Sequence, residues 1–165
     1  MENDVMMPLR GLLGALVLLA GLGQAQAETV FTGEGTSCTG AGNPVRLRLT
    51  VSNLRNASGL IILTVYGDNP ADFLASGKKL ARVRLPARSG ATEICIAVPQ
   101  RSSYAIALFH DENGDRRFNR NLIGMPTEGF GISNDADTTL GLPNYESARF
   151  TAEPGDNRQS IAVRY

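Results

Sequence analysis

The chain has 165 residues, with 16 basic and 16 acidic side chains in balance, 6% aromatic residues and no tryptophan. Such a balance gives no case for nucleic acid or for a strongly charged membrane surface. With one histidine and two cysteines, neither cysteine in a CxxC pair, a Cys/His zinc site is not expected either.

Gly11–Leu22 is an unbroken run of Gly, Leu, Ala and Val, preceded by Arg10 and followed by Ala25-Gln26-Ala27. It is shorter than the roughly 20 residues a spanning helix needs. A basic start, a short apolar stretch and a small-x-small exit predict a secretory signal peptide over residues 1–27. Glu2 and Asp4 oppose a positive start, and translation from Met6 or Met7 would remove them. No Cys follows at lipobox distance, and no second apolar run approaches spanning length. The expectation is a single domain over residues 28–165, without a membrane span, in the periplasm or secreted. Losing Arg10 against Glu2 and Asp4 moves its net charge to about +1. Cys38 and Cys95 both lie in that part, and an even pair in an exported chain predicts a disulfide, with two buried thiols as the alternative.

Period-2 alternation dominates from residue 45 on. Val45, Leu47, Leu49 and Val51 alternate with Arg46, Arg48 and Thr50; Leu60–Tyr66 is apolar almost throughout, as a central strand is. Ala81, Val83 and Leu85 alternate with Arg82 and Arg84, and Ile94, Ile96 and Val98 with Glu93, Cys95 and Ala97. Tyr104–His110, Ala148–Ala152 and Ser160–Tyr165 complete about seven strands. Strands with one oily face bury it against one another, which predicts an all-β, two-sheet sandwich of the immunoglobulin-like or transthyretin-like kind. One short connector helix is expected after Asn69-Pro70, ending by Gly77. The parity of Cys95 turns it outward, so a bridge to Cys38 would strap the Gly- and Thr-rich segment Glu28–Gly42 over a sheet. Arg46, Arg48, Arg82 and Arg84 also face outward, as a solvated face or, if their strands are close, as a basic patch for an anionic glycan or lipid headgroup.

Asp111–Asn144 reads as a long ordered loop without a convincing helix or strand, held by Leu122, Ile123, Met125, Phe130 and Ile132. Connections of that length are functional or disordered. Asp111, Asn113 and Asp115 recur at alternate positions, a spacing that turns oxygens toward one point and suits calcium. Asn119, the Arg117 carbonyl and Glu128 or Asp135 are further candidate ligands. The loop is not an EF-hand, because Arg116 stands where a glycine and Leu122 where a glutamate would be required. The same residues also suit Asx turns, which need no metal.

Tyr104–Gly114 resembles the hallmark of a known family. So do Gly124-Met125-Pro126-Thr127-Glu128-Gly129-Phe130-Gly131-Ile132-Ser133-Asn134 and Pro143-Asn144-Tyr145-Glu146-Ser147-Ala148-Arg149-Phe150. Together with Leu54-Arg55-Asn56-Ala57-Ser58-Gly59 they are similar to the exported bacterial "domain of unknown function 2141" proteins, over nearly all of the chain after residue 27. The resemblance implies a secreted or periplasmic β-sandwich without an established activity. The family's loop commonly runs Asn-Gly-Asn-Gly-Lys-Leu-Asp; Arg116 replaces its second glycine and Asn119 its aspartate.

His110 is the only histidine, so histidine-dependent hydrolysis would need it beside a serine such as Ser133, and no Gly-x-Ser-x-Gly elbow occurs. Carboxylates for glycoside chemistry could come from Glu112, Asp115, Glu128 or Glu146. The reading favoured is a non-catalytic binding or structural module of the cell envelope, using the Asp111–Asn134 loop with His110, Glu128, Phe130, Ser133 and Asn134 as its binding surface. Calcium is the cofactor considered, and a cell-envelope glycan or protein the partner. A periplasmic hydrolase using His110 and the loop carboxylates is the alternative.

Overall fold

A strand that alternates oily and polar side chains needs a second layer to bury its oily face, and seven such runs in one chain give two layers. The computed structural model describes residues 30–32, 45–138 and 141–165, with only the backbone course of 30–32. The leader at 1–27 and Cys38 lie outside the described residues.

Nine strands are present among the described residues: β1 (Val30–Thr32), β2 (Val45–Leu54), β3 (Leu60–Tyr66), β4 (Ala81–Pro86), β5 (Gly90–Val98), β6 (Ser102–Asp111), β7 (Gly129–Ile132), β8 (Phe150–Ala152) and β9 (Gly155–Ala162). One sheet runs β5-β2-β9, with β2 antiparallel to β5 and parallel to β9. The larger runs β1-β4-β3-β6-β7, and β8 pairs with the start of β6. The architecture is the expected all-β, two-sheet arrangement. Val45, Leu47, Leu49, Val51, Ile94 and Ile96 of the small sheet meet Ile61, Leu63, Val83, Ile106 and Leu108 of the large one in a single core. β3 is buried on both faces, as its continuous apolar run demands of a strand between two neighbours.

The outer face of the large sheet is also partly covered. Ala105, Ile132, Ala136, Tyr145 and Ala148 form a second cluster under a one-turn helix, α1 (Tyr145–Ala148), capped by the Asn144 side chain. The connector after Asn69 packs here: the Phe73 ring meets Tyr66 at 5.4 Å and Tyr145 at 5.9 Å. It is a single 3-10 turn, Pro70–Asp72, capped by Asn69 as expected. Among the described residues no helix is long and apolar enough to cross a membrane.

Five details differ from the sequence reading, one being that Leu122, Ile123 and Met125, expected to hold the long loop, are exposed, so that Phe130 and Ile132 are left to do so. β7 lies inside the stretch read as a plain loop. Its sequence, Gly-Phe-Gly-Ile, carries little strand propensity, but a Cβ on Gly131 would sit 2.5 Å from the Ile161 side chain, so close packing requires the glycine. β9 begins at Gly155 rather than Ser160, because Asp156–Gln159 pair through the backbone and bury nothing oily. Val30–Thr32 adds to the edge of the large sheet beside β4, within the segment expected to be strapped over a face. Finally, the four outward arginines do not form one patch. Arg46 and Arg48 share Asp156 on the small sheet, whereas Arg82 and Arg84 belong to β4 in the large one.

Candidate functional site

β6 ends at Asp111, where the chain leaves for the 17-residue connection to β7. That exit is built by the β2–β3 turn. Gly59 has φ +69°, and a Cβ there would lie 1.9 Å from the Asp111 carbonyl oxygen, so only glycine fits. Asn56 donates to Glu112 at 2.8 Å, and Arg55 pairs with Glu112 at 2.6 Å. Burial works to raise the Glu112 carboxyl, but the Arg55 and Asn56 bonds outweigh it and hold it low. The Leu54–Gly59 motif thus clamps the start of the loop.

His110 is fully buried beside this clamp. Its Nε2 lies 2.7 Å from the Ser58 carbonyl, which can only accept, so the proton is on Nε2. Nδ1 then accepts from the Tyr165 hydroxyl at 2.7 Å. That hydroxyl also accepts from the Arg55 backbone N–H at 3.0 Å, and the Arg55 guanidinium stands 4.4 Å over the Tyr165 ring. Both imidazole nitrogens are occupied by structural bonds.

Beyond Asp111 the loop folds onto its own acids. Asp111 accepts from the backbone N–H groups of Asp115 at 3.1 Å and Arg116 at 2.9 Å. Asn113 and Asp115 close Asx turns onto Asp115 and Arg117. Arg116 takes a left-handed φ of 64°, the conformation for which the sixth position of an EF-hand uses glycine. Asn119 donates to Asp115 at 3.0 Å and accepts from Asn113 at 3.3 Å.

Glu128 comes back from the far end of the loop to meet them, its Oε2 accepting from the Asn119 backbone at 3.0 Å. One carboxylate oxygen each from Asp111, Asp115 and Glu128 lies within 4.8 Å of the other two. Glu128 is only 6% exposed, and its Oε1 is buried without a hydrogen-bond partner among the described residues. Burial, followed by the nearby charges of Asp111, Asp115 and Glu112, pushes its carboxyl above the ordinary range. Asp115, on the rim, is held low by its bonds from Asn119 and the Arg117 backbone. Three acids with an unsatisfied buried oxygen form an all-oxygen cradle for a hard cation, the set calcium prefers.

The connection crosses the outer face of the large sheet as it returns. Phe118 lies between Phe109 at 5.4 Å and Phe130 at 5.6 Å, with the Arg120 guanidinium 5.0 Å over its ring. These residues, with Arg82 and Leu142, line a cavity of about 230 Å³.

The structure therefore joins Asp111, Asn113, Asp115, Asn119 and Glu128 in one cluster, sets His110 beneath it and Phe130 in the aromatic cavity. Ser133 and Asn134 belong elsewhere. The Ser133 hydroxyl bonds the Ile106 N–H and the Ala148 carbonyl, and Asn134 holds the Ser147 and Arg149 carbonyls, so both fix α1 to the sheet. Ile106 stands four residues, roughly 13 Å, along the strand from His110, so the serine–histidine pairing is not assembled. Asp135, a candidate ligand in the sequence, accepts from the Ala162 N–H instead. Sequence reasoning did not find Arg55, Asn56, Phe109, Phe118 or Tyr165 as partners; the turn motif around Arg55 was the available signal.

A family model described as an uncharacterized protein conserved in bacteria matches residues 49–160. No curated protein and no solved structure matches the chain.

Proposed function

The chain belongs to the DUF2141 family of bacterial proteins, and we propose that it is an exported, non-catalytic binding module of the cell envelope whose β6–β7 loop closes around calcium. The carrying observation is the convergence of Asp111, Asp115 and Glu128 with the buried, unpartnered Glu128 Oε1. A divalent cation would offset the mutual repulsion of these carboxylates and supply the missing partner. Asn113, Asn119 and the Arg117 carbonyl are further oxygens within the same turn of chain, as a six- to eight-coordinate ion requires. No nitrogen or sulfur ligand belongs to the cluster, which argues against zinc.

Export rests on the leader-like residues 1–27 and places the protein in the periplasm or outside the cell. A Cys38–Cys95 disulfide belongs to the same proposal: Cys95 faces outward on β5 opposite Arg48, and the described residues include no free cysteine. The binding reading is supported by the aromatic cavity beside the loop, whose Arg82 and Arg120 suit an acidic envelope glycan or protein. A hydrolase is less favoured because His110 has both nitrogens engaged. The test is a melting curve at millimolar calcium and in chelator. Calcium raises Tm by several degrees on this reading; superimposable curves refute it.

A further inference from the structure

Between Asn119 and Thr127 the loop rises into a small hairpin. Thr127 N–H bonds the Asn119 carbonyl at 3.0 Å, Asn121 N–H the Met125 carbonyl at 2.8 Å, and Arg120 and Pro126 face one another as a bridge. At its tip Leu122 is 106% exposed and Ile123 84%. Folding gains nothing from two side chains left in water. Moreover, among the described residues, five of the six exposed large hydrophobics lie on this hairpin or at its foot: Leu122, Ile123 and Met125, with Leu142 and Tyr165 lining a cavity that Met125 shares; Leu80 alone is elsewhere.

Several polar groups of the tip are satisfied within it, though not the Leu122 N–H or the Leu122 and Ile123 carbonyls. The Asn121 side chain accepts from the Ile123 N–H at 3.1 Å and the Met125 N–H at 3.0 Å. Gly124 N–H bonds the Asn121 carbonyl at 2.9 Å, and the Gly124 carbonyl takes the Arg120 guanidinium at 2.9 Å. A turn closed in this way strands few donors, and in the hydrated interface of a bilayer the Leu122 and Ile123 carbonyls keep water as their partner. Positive charge stands close to the hairpin in the chain. Arg46, Arg48, Arg55, Arg101 and Arg149 each face a carboxylate. Arg116 and Arg117, exposed and two to three residues before the hairpin, have no close ion pair among the described residues, although, behind the bonds from Asn119 and the Arg117 backbone, the Arg117 charge helps hold the Asp115 carboxyl low. Two protruding side chains are too little for a stable protein–protein interface, which covers about 1,000 Å² or more. A bilayer accepts such a tip, with arginines at the headgroups.

We propose that the Asn119–Thr127 hairpin is a membrane-docking tip: Leu122 and Ile123 enter the interface of a bilayer containing anionic phospholipid, and Arg116 and Arg117 meet its headgroups. The docking is shallow and reversible; the exposure of Leu122 and Ile123 stands apart from the calcium reading, whereas the pull of the arginines rests on it, because a cation would offset the neighbouring Asp111, Asp115 and Glu128 charges. The chain's lack of tryptophan supplies the probe. Ile123→Trp places a single indole at the tip, where emission reports its surroundings whatever residues 1–27 contribute to binding. The full chain is mixed, in calcium-containing buffer, with vesicles of phosphatidylethanolamine and phosphatidylglycerol, or of phosphatidylcholine alone. The expected result is a blue shift with the anionic vesicles and little with phosphatidylcholine. Adding Arg116→Gln and Arg117→Gln weakens partitioning about fivefold for each arginine. In the Ile123→Trp chain, Leu122→Asp lowers it at least about tenfold while Tm is unchanged, since this side chain packs against nothing. An unshifted emission maximum overturns the proposal, as does an equal shift with both vesicle types. A wild-type dimer lost on Leu122→Asp would assign the tip to a second copy and overturn it as well.

Discussion

Replacing Glu128 by Gln should change the sign of its effect with the calcium concentration. In chelator, wild type holds Glu128 against the buried Asp111 carboxylate, their oxygens within 4.8 Å. Two like charges at that distance repel by about 3.5 kcal/mol at an effective dielectric of 20. The backbone donors on Asp111 and the solvent at the rim remove much of this, leaving about 1–2 kcal/mol for Glu128→Gln to recover. The variant in chelator is therefore at least as stable as wild type. In calcium the order reverses, because wild type gains about 2.7 kcal/mol at a free concentration one hundred times Kd, and the variant loses a charged ligand. For a domain of this size that is a Tm rise of roughly 8–10 °C, confined to wild type. Differential scanning calorimetry of both proteins in both buffers reads all four values. A variant destabilised equally in chelator and in calcium would show that Glu128 serves packing alone, and the cation argument would fall.

Three further outcomes follow from the same geometry. Burial raises the Glu128 carboxyl, so the chelated fold holds that proton more tightly than the unfolded chain does. The resulting stability is present at low pH and lost as pH rises through the raised value, whereas calcium requires the carboxylate; the calcium-induced rise in Tm should grow as pH climbs above the ordinary carboxylate range, and a constant rise would count against Glu128 as a ligand. Arg116→Gly removes a left-handed strain of about 1–2 kcal/mol and returns part of it as chain entropy, for a net gain of about 0.5–1 kcal/mol in urea unfolding; a loss would show that the arginine side chain stabilises the loop. Alkylation of unreduced protein recovered from the envelope, followed by intact-mass measurement, should find no labelled thiol; two labels would remove the Cys38–Cys95 bridge.

Much of the sandwich was legible because a buried face leaves a periodic trace. Val45–Val51 could be read as a strand from spacing alone, and β3 as a central one from its unbroken apolar run. β7 left no such trace, since Gly129 and Gly131 are there to let Tyr165 and Ile161 approach. In the site, the Asp111-Asn113-Asp115 spacing was visible because its geometry is local. Glu128 stood only among several later candidates, and nothing in a linear chain distinguishes it from Asp135, which the fold sends to Ala162 instead. The Arg55–Asn56 turn was visible as a motif, but its pairing with the loop was not, since 56 positions separate Asn56 from Glu112. The arginine patch failed because outward parity says nothing about which sheet a strand joins.

The parallel pairing of β2 with β9 sets an order of events. Val45 meets Gly155 and Thr50 meets Ser160, so β2 waits for a stretch of chain made some 110 residues later. Until that stretch arrives, one edge of β2 is bare and the small sheet lacks its third strand. Early closure is therefore disfavoured while synthesis continues, and loops this long are slow to close even afterward. Strand order alone supplies this delay, which the proposed export would need of a chain threaded unfolded through a narrow translocation pore.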